Sequence, residues 1–466
     1  MANEVRDDGV PDRTGPTAVP TPGPTGPTGS AGSTGPTGPE VPTTWRARVR
    51  QLGPGIMAAA TGVGAGDLVA TMVAGSRYGY TLLWAVLLGT IFKIALAEAV
   101  GRWHLTSGRT LLAGWRTLGR WVLVYFGAYT VVWGFVYGAT AMSASGLPLN
   151  ALVPGVSVRY WAILCGLLGF ALVWFGRYAV LEKIMTVFVG VMFVTVVATA
   201  VLVAPNLVEA AGGLVPRLPD GSLVYALGLV GGVGGTITMA AYGYWTLAKG
   251  WRSSRWLPMM RFDNLVGYVT TGVFVVAMLV VGAGMLAGTD VVAGDVGLLM
   301  LGDRLAAGYG EWARVPFLVG FFAVSFTSLI GVWNGVSLLF ADWWRTWRLP
   351  AHPADTGADT DAATDADTDY ERRAGVRSRP YRAYVLWLTF PPMALLFLDR
   401  PFQLTVAYGV LGALFMPFLA GTLLVLLNSA RLPREFRSRS VSNTLLVICL
   451  ALFAYLAVDQ IVGLFE

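Results

Sequence analysis

The sequence predicts an all-α polytopic membrane protein with two inverted five-helix repeats and an eleventh helix. Composition gives the first reason: of 466 residues, 55% are hydrophobic and 13% are charged, and the mean hydropathy is +0.61. Such values are typical of chains that cross a bilayer several times. Second, the apolar residues form eleven segments of about the length of a membrane-spanning helix. Third, two of these segments, five apart in order, are interrupted by glycines.

The region before the first apolar segment is rich in proline, threonine and glycine, with glycine at every third position from Gly23 to Gly38. This period is too short to indicate a collagen triple helix. We predict a disordered cytoplasmic tail over residues 1–44 and a transmembrane domain over residues 45–466. Because residues 1–45 contain no apolar core, the sequence shows no signal peptide.

The apolar segments follow one another closely. They lie near residues 53–75, 80–103, 121–145, 158–176, 179–204, 222–248, 262–287, 313–341, 383–398, 402–428 and 443–464. A polar loop with several acidic residues follows the seventh segment. An acidic low-complexity run follows the eighth, and we predict a disordered cytoplasmic loop over residues 351–380 because such runs cannot bury enough apolar surface to fold.

The distribution of basic residues predicts the orientation. One set of alternate loops carries most of them: Arg46, Arg48, Arg50, Arg102, Arg109, Arg116, Arg120, Arg177, Lys183, Lys249, Arg252, Arg255, Arg261, Arg431, Arg434, Arg437 and Arg439. Basic loops stay in the cytoplasm, so the N-terminus is predicted inside and, after eleven spans, the C-terminus outside the plasma membrane. The positive charge therefore indicates topology rather than a nucleic-acid partner. The expected partners are the lipid bilayer and a small ion or solute, and no protein partner is inferred.

The first apolar segment contains TGVGAGDLVATMVAGSRYGY, in which Gly62, Gly64 and Gly66 precede Asp67. A carboxylate in the hydrocarbon core costs several kcal/mol unless it faces a cavity or a partner. Three glycines before it indicate a helix that breaks at mid-depth, which is tolerated where the backbone lines a site. We predict a substrate or ion site here, and the alternative is a small-residue packing face with Asp67 paired structurally.

The sixth segment contains GLVGGVGGTITMAAYGYW, with four glycines ending at Gly235 and followed by Thr236 and Thr238. Glycine-broken spans in corresponding positions of two halves indicate a transporter site, and an offset of five helices inverts the second half. Freed carbonyls and hydroxyls at such breaks coordinate cations, and the Met239 thioether suits a transition metal. The alternative is that the two glycine stretches are unrelated packing faces.

Further charges lie within the second segment. Lys93 is near its middle, where it needs a carboxylate or carbonyl partner, and Asp67 is one candidate. Lys93 could stand where a coupling cation binds, or titrate, or extend its ammonium to the membrane interface. Glu98, five residues on, is a second candidate for coupling or for balancing charge. Asp263 and Asp342 are predicted to be interfacial.

Other function classes find no support in the sequence. It has no HExxH or CxxC motif, and its two cysteines, Cys165 and Cys449, lie in apolar runs. The glycine-rich stretches lack the strand context and the lysine of a nucleotide-binding loop. No nucleophile motif or carboxylate pair indicates catalysis. We therefore expect neither an enzyme nor a bound cofactor.

Several stretches resemble the Nramp family of proton-coupled divalent metal transporters. The first segment, with GPG at its start and YGYTLLW at its end, is similar to the family's first helix, and Arg102 and Gly108 match its basic turn. GGTITMAAYGYW resembles the metal-binding sixth helix, and MPFLAGTLLVLLN resembles the tenth. The resemblance implies a LeuT-type fold and a divalent cation as substrate.

The sequence departs from the family at the expected ligands. The DPGN motif of the first helix falls on Gly64, Ala65, Gly66 and Asp67, and the MPH motif of the sixth falls on Met239, Ala240 and Ala241. The third segment has none of the acidic residues that the family uses for protons. The resemblance implies that Gly64, Asp67, Met239 and Ala241 lie in the substrate site. Thr236 and Thr238 are added to the predicted site because their hydroxyls lie beside the second break. Asp67 and Met239 are the candidate metal ligands.

Together these features predict a secondary transporter that moves a divalent cation by alternating access, with proton coupling implied by the family. The first alternative keeps the fold and changes the substrate to a small organic solute or an anion. The missing family ligands and Lys93 support this alternative. A second alternative is a membrane scaffold or sensor, which would have no need for two interrupted spans.

Overall fold

The fold is described from a computed structural model. The backbone is described for residues 40–466 except 204–205, 233–234, 288–294, 349–374, 399–400 and 463–466. Side chains are also left undescribed at 65–70, 232, 295–298, 401–407, 409–410, 413 and 459–461. The predicted disordered tail (1–44) and loop (351–380) therefore lie mostly outside the described residues. Residues Val41–Glu466 form one unit, to which all the elements below belong.

The first half of the chain contains nine described helices. They are α1 (Trp45–Gln51), α2 (Pro54–Gly62), α3 (Ala65–Tyr78), α4 (Leu83–Ser107), α5 (Leu111–Leu118), α6 (Arg120–Leu152), α7 (Val158–Phe175), α8 (Tyr178–Leu202) and α9 (Leu207–Gly212). Local chemistry sets several boundaries. Pro54 begins α2, since proline lacks the amide hydrogen that a first turn leaves unused. Gly108 ends α4 in the left-handed conformation at φ 65°.

The second half adds eight described helices and no strand within the described residues. They are α10 (Leu223–Gly232), α11 (Thr238–Ala248), α12 (Leu257–Leu286), α13 (Asp295–Tyr309), α14 (Glu311–Arg348), α15 (Arg379–Met393), α16 (Pro401–Asn428) and α17 (Ser440–Val462). The hydroxyl of Ser378 accepts a hydrogen bond from the amide of Tyr381 and caps α15.

The eleven predicted spans are confirmed. Eight unbroken stretches among the described residues are long and apolar enough to cross a membrane: α4, α6, α7, α8, α12, α14, α15 and α17. The pairs α2/α3 and α10/α11 are the first and sixth spans, each broken into two shorter helices. The tenth span is α16, of which Leu414–Asn428 is apolar and described to its side chains.

The packing of the spans shows the predicted repeat. Span one (α2/α3) packs on span seven (α12), and span six (α10/α11) packs on span two (α4). Span three (α6) packs on span ten (α16), and span eight (α14) packs on span five (α8). If span one is equivalent to span six, span two to span seven and so on, the contact of spans one and seven is equivalent to that of spans six and two. The contact of spans three and ten is likewise equivalent to that of spans eight and five. The contacts between the halves are therefore those of two equivalent units.

Loops predicted on the same side of the membrane contact one another. At the basic end, Lys249 pairs with Glu182 at 2.5 Å, and an Arg116 nitrogen donates to the carbonyl of Thr346 at 2.9 Å. At the opposite end, the Trp84 indole donates to the carbonyl of Arg217 at 3.1 Å. These contacts agree with the alternation of loops derived from the basic residues.

Some elements differ from the sequence expectation. The short helices α1, α5 and α9 lie where the sequence predicts connections, and α13 occupies most of the predicted polar loop after span seven. The eighth span is longer than predicted, because α14 runs from Glu311 to Arg348. A helix of this length extends well beyond the hydrocarbon core.

Candidate functional site

The first predicted break is present. Helix α2 ends at Gly62, and α3 begins at Ala65 after two non-helical residues, with Val63 extended at φ −98° and ψ 105°. The interruption frees carbonyls from helical hydrogen bonding. One of them, the carbonyl of Thr61, accepts a hydrogen bond from the Ser328 hydroxyl of α14 at 3.0 Å.

The second predicted break is also present. Helix α10 ends at Gly232 and α11 begins at Thr238, with Gly235 in the left-handed region at φ 78°. The Thr236 hydroxyl oxygen is buried there, with no hydrogen-bond partner among the described residues. A buried hydroxyl that lacks a partner is costly unless something binds it, so this oxygen is available to a ligand.

The two breaks meet. A methyl group added at Gly235 would lie 3.0 Å from the Cα of Gly62 and 2.5 Å from the hydroxyl oxygen of Thr238. Only glycine allows this approach at this backbone conformation. The end of α2 and the start of α11 are therefore in backbone contact, which joins the two predicted halves of the site.

Lys93 of α4 reaches the second break. Its side chain is 0% exposed, and its ammonium donates a hydrogen bond to the carbonyl oxygen of Gly235. The ammonium also lies 5.9 Å from the centre of the Phe453 ring. The prediction of a carboxylate or carbonyl partner is confirmed, and the fully buried side chain shows that Lys93 does not extend to the interface.

Glu98 has partners elsewhere. Its carboxylate lies 2.9 Å from Arg261 and 3.3 Å from Arg102, at the basic end of the bundle. Arg102 in turn donates to the Ser442 hydroxyl of α17 at 2.8 Å. Glu98 therefore belongs to a network of ion pairs that joins α4, α12 and α17 at that end.

The predicted residues of α11 lie in its first two turns and are buried. Thr238 and Met239 are 3% and 1% exposed, and the Met239 and Ala240 amides donate to the carbonyls of Thr236 and Ile237 at 3.1 and 3.0 Å. Those two amides are therefore not open to an anion. Ala241 packs against α14, where a methyl group added at Gly335 would lie 2.9 Å from its Cβ.

Asp67 is the third residue of α3, immediately after the first break. Its side chain lies outside the described residues. A carboxylate in the first turn of a helix is stabilised in its charged form by the amide dipoles. The role of Asp67 as the charged group beside the break stays a prediction.

Sequence reasoning missed a pocket beside Gly64. It is small, with room for about one water molecule, and is lined by Gly64, Tyr137, Thr140, Ala141, Ala144, Ser325, Ser328 and Tyr408. The Ser325 hydroxyl is buried with no hydrogen-bond partner in the described part of the chain, and the hydroxyls of Tyr137 and Ser328 are 2.9 Å apart. The sequence does contain a pattern that could have indicated it: Tyr137 and Thr140 in α6, and Ser325 and Ser328 in α14, are each three residues apart and so lie on one face of their helix. The described residues contain no cluster of three His, Cys, Asp or Glu suited to a metal.

Asp263 and Asp342, which are predicted to lie near the membrane interface, are both buried within the protein. Asp263 is 1% exposed and accepts hydrogen bonds from the amides of Gly53 and Gly55, at 3.0 and 2.5 Å, and from Tyr242 at 3.0 Å. Asp342 is also buried and accepts from Tyr244 at 2.7 Å. Neighbouring spans supply the polar partners that make burial of each carboxylate tolerable.

Comparison with known proteins gives one family match. Residues 55–463 match the model of the Nramp family, described as natural resistance-associated macrophage protein-like. The chain is 26% identical to an uncharacterized protein of Pasteurella multocida over 63% of this chain and 70% of that protein. It is 26% identical to the divalent metal cation transporter MntH of Deinococcus radiodurans over 59% of this chain and 65% of that protein.

Solved structures agree on the fold. A manganese transporter of Eremococcus coleocola superposes with a TM-score of 0.71 at 15% identity, covering 92% of this chain and 90% of that one. Mhp1, a nucleobase-cation-symport-1 family transporter, superposes with a TM-score of 0.55 at 13% identity, covering 88% and 92%. The predicted LeuT-type fold is thereby confirmed.

Proposed function

Since this chain belongs to the Nramp family, we propose that it moves a divalent metal cation across the membrane by alternating access. The observation that carries the proposal is the contact of the two helix breaks at Gly62 and Gly235. Broken helices that meet at mid-depth supply oxygen ligands where a bilayer otherwise offers none. The names of the curated relatives, which include a divalent metal cation transporter, support the choice of substrate.

The ligands of the cation come from both breaks. We assign the charge to Asp67 and a soft thioether ligand to Met239, with hydroxyl oxygens from Thr236 and Thr238. Gly64 and Ala241 stand where the family has an acid and a histidine, and neither offers a side-chain ligand. This donor set keeps one carboxylate, at Asp67, and lacks the histidine nitrogen of the family, so it favours a weakly held cation.

The alternative of an organic solute or an anion is not favoured. The first-turn amides of Met239 and Ala240 already donate to backbone carbonyls. The family is one of transporters, and we propose no enzymatic activity and no resident cofactor. We place the protein in the plasma membrane with its N-terminus in the cytoplasm, because the basic loops contact one another at one end of the bundle.

Uptake by purified protein tests this function. Protein reconstituted in liposomes should accumulate Mn²⁺, and Asp67→Ala should lower the initial rate at least about tenfold because it removes the negative charge assigned to the metal. Asp220→Ala, at an exposed loop carboxylate, is the matched control and should transport like the parent protein. A folded Asp67→Ala protein with the parent rate would exclude the assigned role of Asp67.

A further inference from the structure

The Lys93 ammonium occupies a place that a broken helix usually offers to a bound cation. It donates to the carbonyl of Gly235, the residue whose backbone contacts Gly62 of the first break. A carbonyl freed by an interrupted helix is a typical cation ligand in membrane transporters. Here a positive charge belonging to the protein already binds it.

The position of Lys93 is held by the surrounding helices. Helix α4 packs against α10, α11 and α12. One residue beyond Lys93, the Asn264 side chain of α12 donates to the carbonyl of Ile94 at 2.9 Å. These contacts hold the backbone of Lys93 beside the second break.

We propose that Lys93 is a tethered cation that fills a cation subsite of the second break and thereby sets the affinity for the transported metal. This inference rests on the proposed function, because it assumes a metal held between the two breaks. The fixed charge of Lys93 opposes the charge of the metal, and its hydrogen bond to the Gly235 carbonyl removes one oxygen ligand from the metal. Lys93 is thus a residue that determines specificity: it weakens binding of divalent cations and speeds their release.

The size of the effect follows from electrostatics. The ammonium binds the carbonyl of Gly235, so a metal between the breaks would lie close to it. A unit charge repels a divalent ion strongly even over about 10 Å at the effective dielectric constant of a protein. Removing the charge should therefore tighten binding at least about tenfold. Keeping the charge in a different side chain should leave the affinity nearly unchanged.

Calorimetric titration of Mn²⁺ into purified, detergent-solubilised full-length protein tests the inference. Lys93→Met, which nearly keeps the length of the side chain and loses the charge, should bind Mn²⁺ at least about tenfold more tightly than the parent protein. Lys93→Arg should bind within about threefold of the parent. If Lys93→Met does not fold, Lys93→Gln is the second variant: it also removes the charge and should tighten binding, while its polar amide is easier to accommodate in the protein.

One matched control separates this role from general effects of charge. Lys183→Met removes a charge from an exposed position on α8. It should bind Mn²⁺ like the parent. A folded Lys93→Met protein that binds Mn²⁺ no more tightly than the parent, or a control that tightens binding equally, overturns the inference.

The result is also separable from the proposed function. If the parent protein takes up Mn²⁺ in liposomes and Lys93→Met binds it no better, metal transport stands and the role of Lys93 fails. If the parent neither binds nor transports Mn²⁺ and Lys93→Met gains saturable binding, the tethered cation is supported and the transport proposal fails.

Discussion

Gly235 is the residue on which the contact of the two breaks depends. Its φ of 78° is a conformation that side chains with a Cβ adopt at a cost, and an added methyl group would meet Gly62 and Thr238 at 3.0 and 2.5 Å. Its carbonyl also binds Lys93. A small change here therefore acts on the backbone, on both breaks and on the buried charge together.

Gly235→Ala should lower the free energy of unfolding by roughly 2 kcal/mol and reduce Mn²⁺ uptake, because both the strain and the clash fall on the break. The measurement is thermal unfolding in detergent together with uptake in liposomes. Gly228→Ala is the control in the same span, since no described atom lies within 4 Å of a methyl group added there. Equal melting of Gly235→Ala and the parent protein would contradict this view of the break.

Residue by residue, the sequence predicted the position of both breaks and the need of Lys93 for a polar partner. It left open which carbonyl Lys93 contacts, because that contact depends on how α4 packs against α10 and α11. The pocket beside Gly64 was missed for the same reason: its hydroxyls come from α6 and α14, which are far apart in sequence. Short-range pattern contains no information on which distant side chains share a cavity.

At the scale of elements, hydrogen bonds hold the start of α2 against neighbouring helices. Asp263 of α12 accepts from the amides of Gly53 and Gly55, which the first turn of α2 leaves without helical partners. The close approach requires glycine, since a methyl group on Gly55 would collide with the backbone carbonyl of Asp263. Lys249, at the end of α11, also donates to the carbonyl of Leu52 at 3.4 Å. Helix α2 is therefore held at its start by the side chains of Asp263 and Lys249, and at its end by the contact of Gly62 with Gly235.

Asp263→Asn should loosen this attachment, because the amide group of asparagine places N–H donors against the N–H of Gly53 or Gly55. We expect a loss of about 2 kcal/mol in unfolding free energy. We also expect faster labelling of a cysteine introduced at Leu52, read against Cys165 and Cys449, which are both buried. Asp220→Asn, on an exposed loop, is the control. Unchanged labelling and melting of Asp263→Asn would show that α2 is held by other contacts.

Among the elements, the long apolar spans were predictable and the short connecting helices were not. Each span is a run of apolar residues whose length matches the bilayer, so composition alone locates it. Helices α5 and α9 have too few residues to form by propensity and exist because they pack on the spans. The burial of Asp263 was missed because its partners, Gly53, Gly55 and Tyr242, come from other spans.

At the scale of the whole molecule, eleven spans is an odd number. The proposed topology therefore places the N-terminus and the C-terminus on opposite sides of the membrane. The contacts of Lys249 with Glu182 and of Arg116 with Thr346 group the basic loops at a single end, which supports the predicted cytoplasmic N-terminus.

Epitope tags at the two ends test this orientation in intact cells. A tag after residue 466 should be accessible to antibody without permeabilisation, and a tag before residue 1 should become accessible only after it, because the basic loops hold the N-terminal side inside. A tag placed in the predicted cytoplasmic loop 351–380 is the matched control and should behave like the N-terminal one. Both termini accessible from the same side would contradict the count of eleven spans.

The exchange of contacts between spans one to five and spans six to ten has a consequence for the origin of the chain. A unit of five spans has its two ends on opposite faces, so a second copy joined directly behind it must enter the membrane upside down. Two separate five-span proteins could make the same contacts only if one copy inserted in the membrane in each orientation. The two copies would then pair as an antiparallel dimer. The present chain is thus the expected product of fusing two copies of the gene of such an antiparallel homodimer.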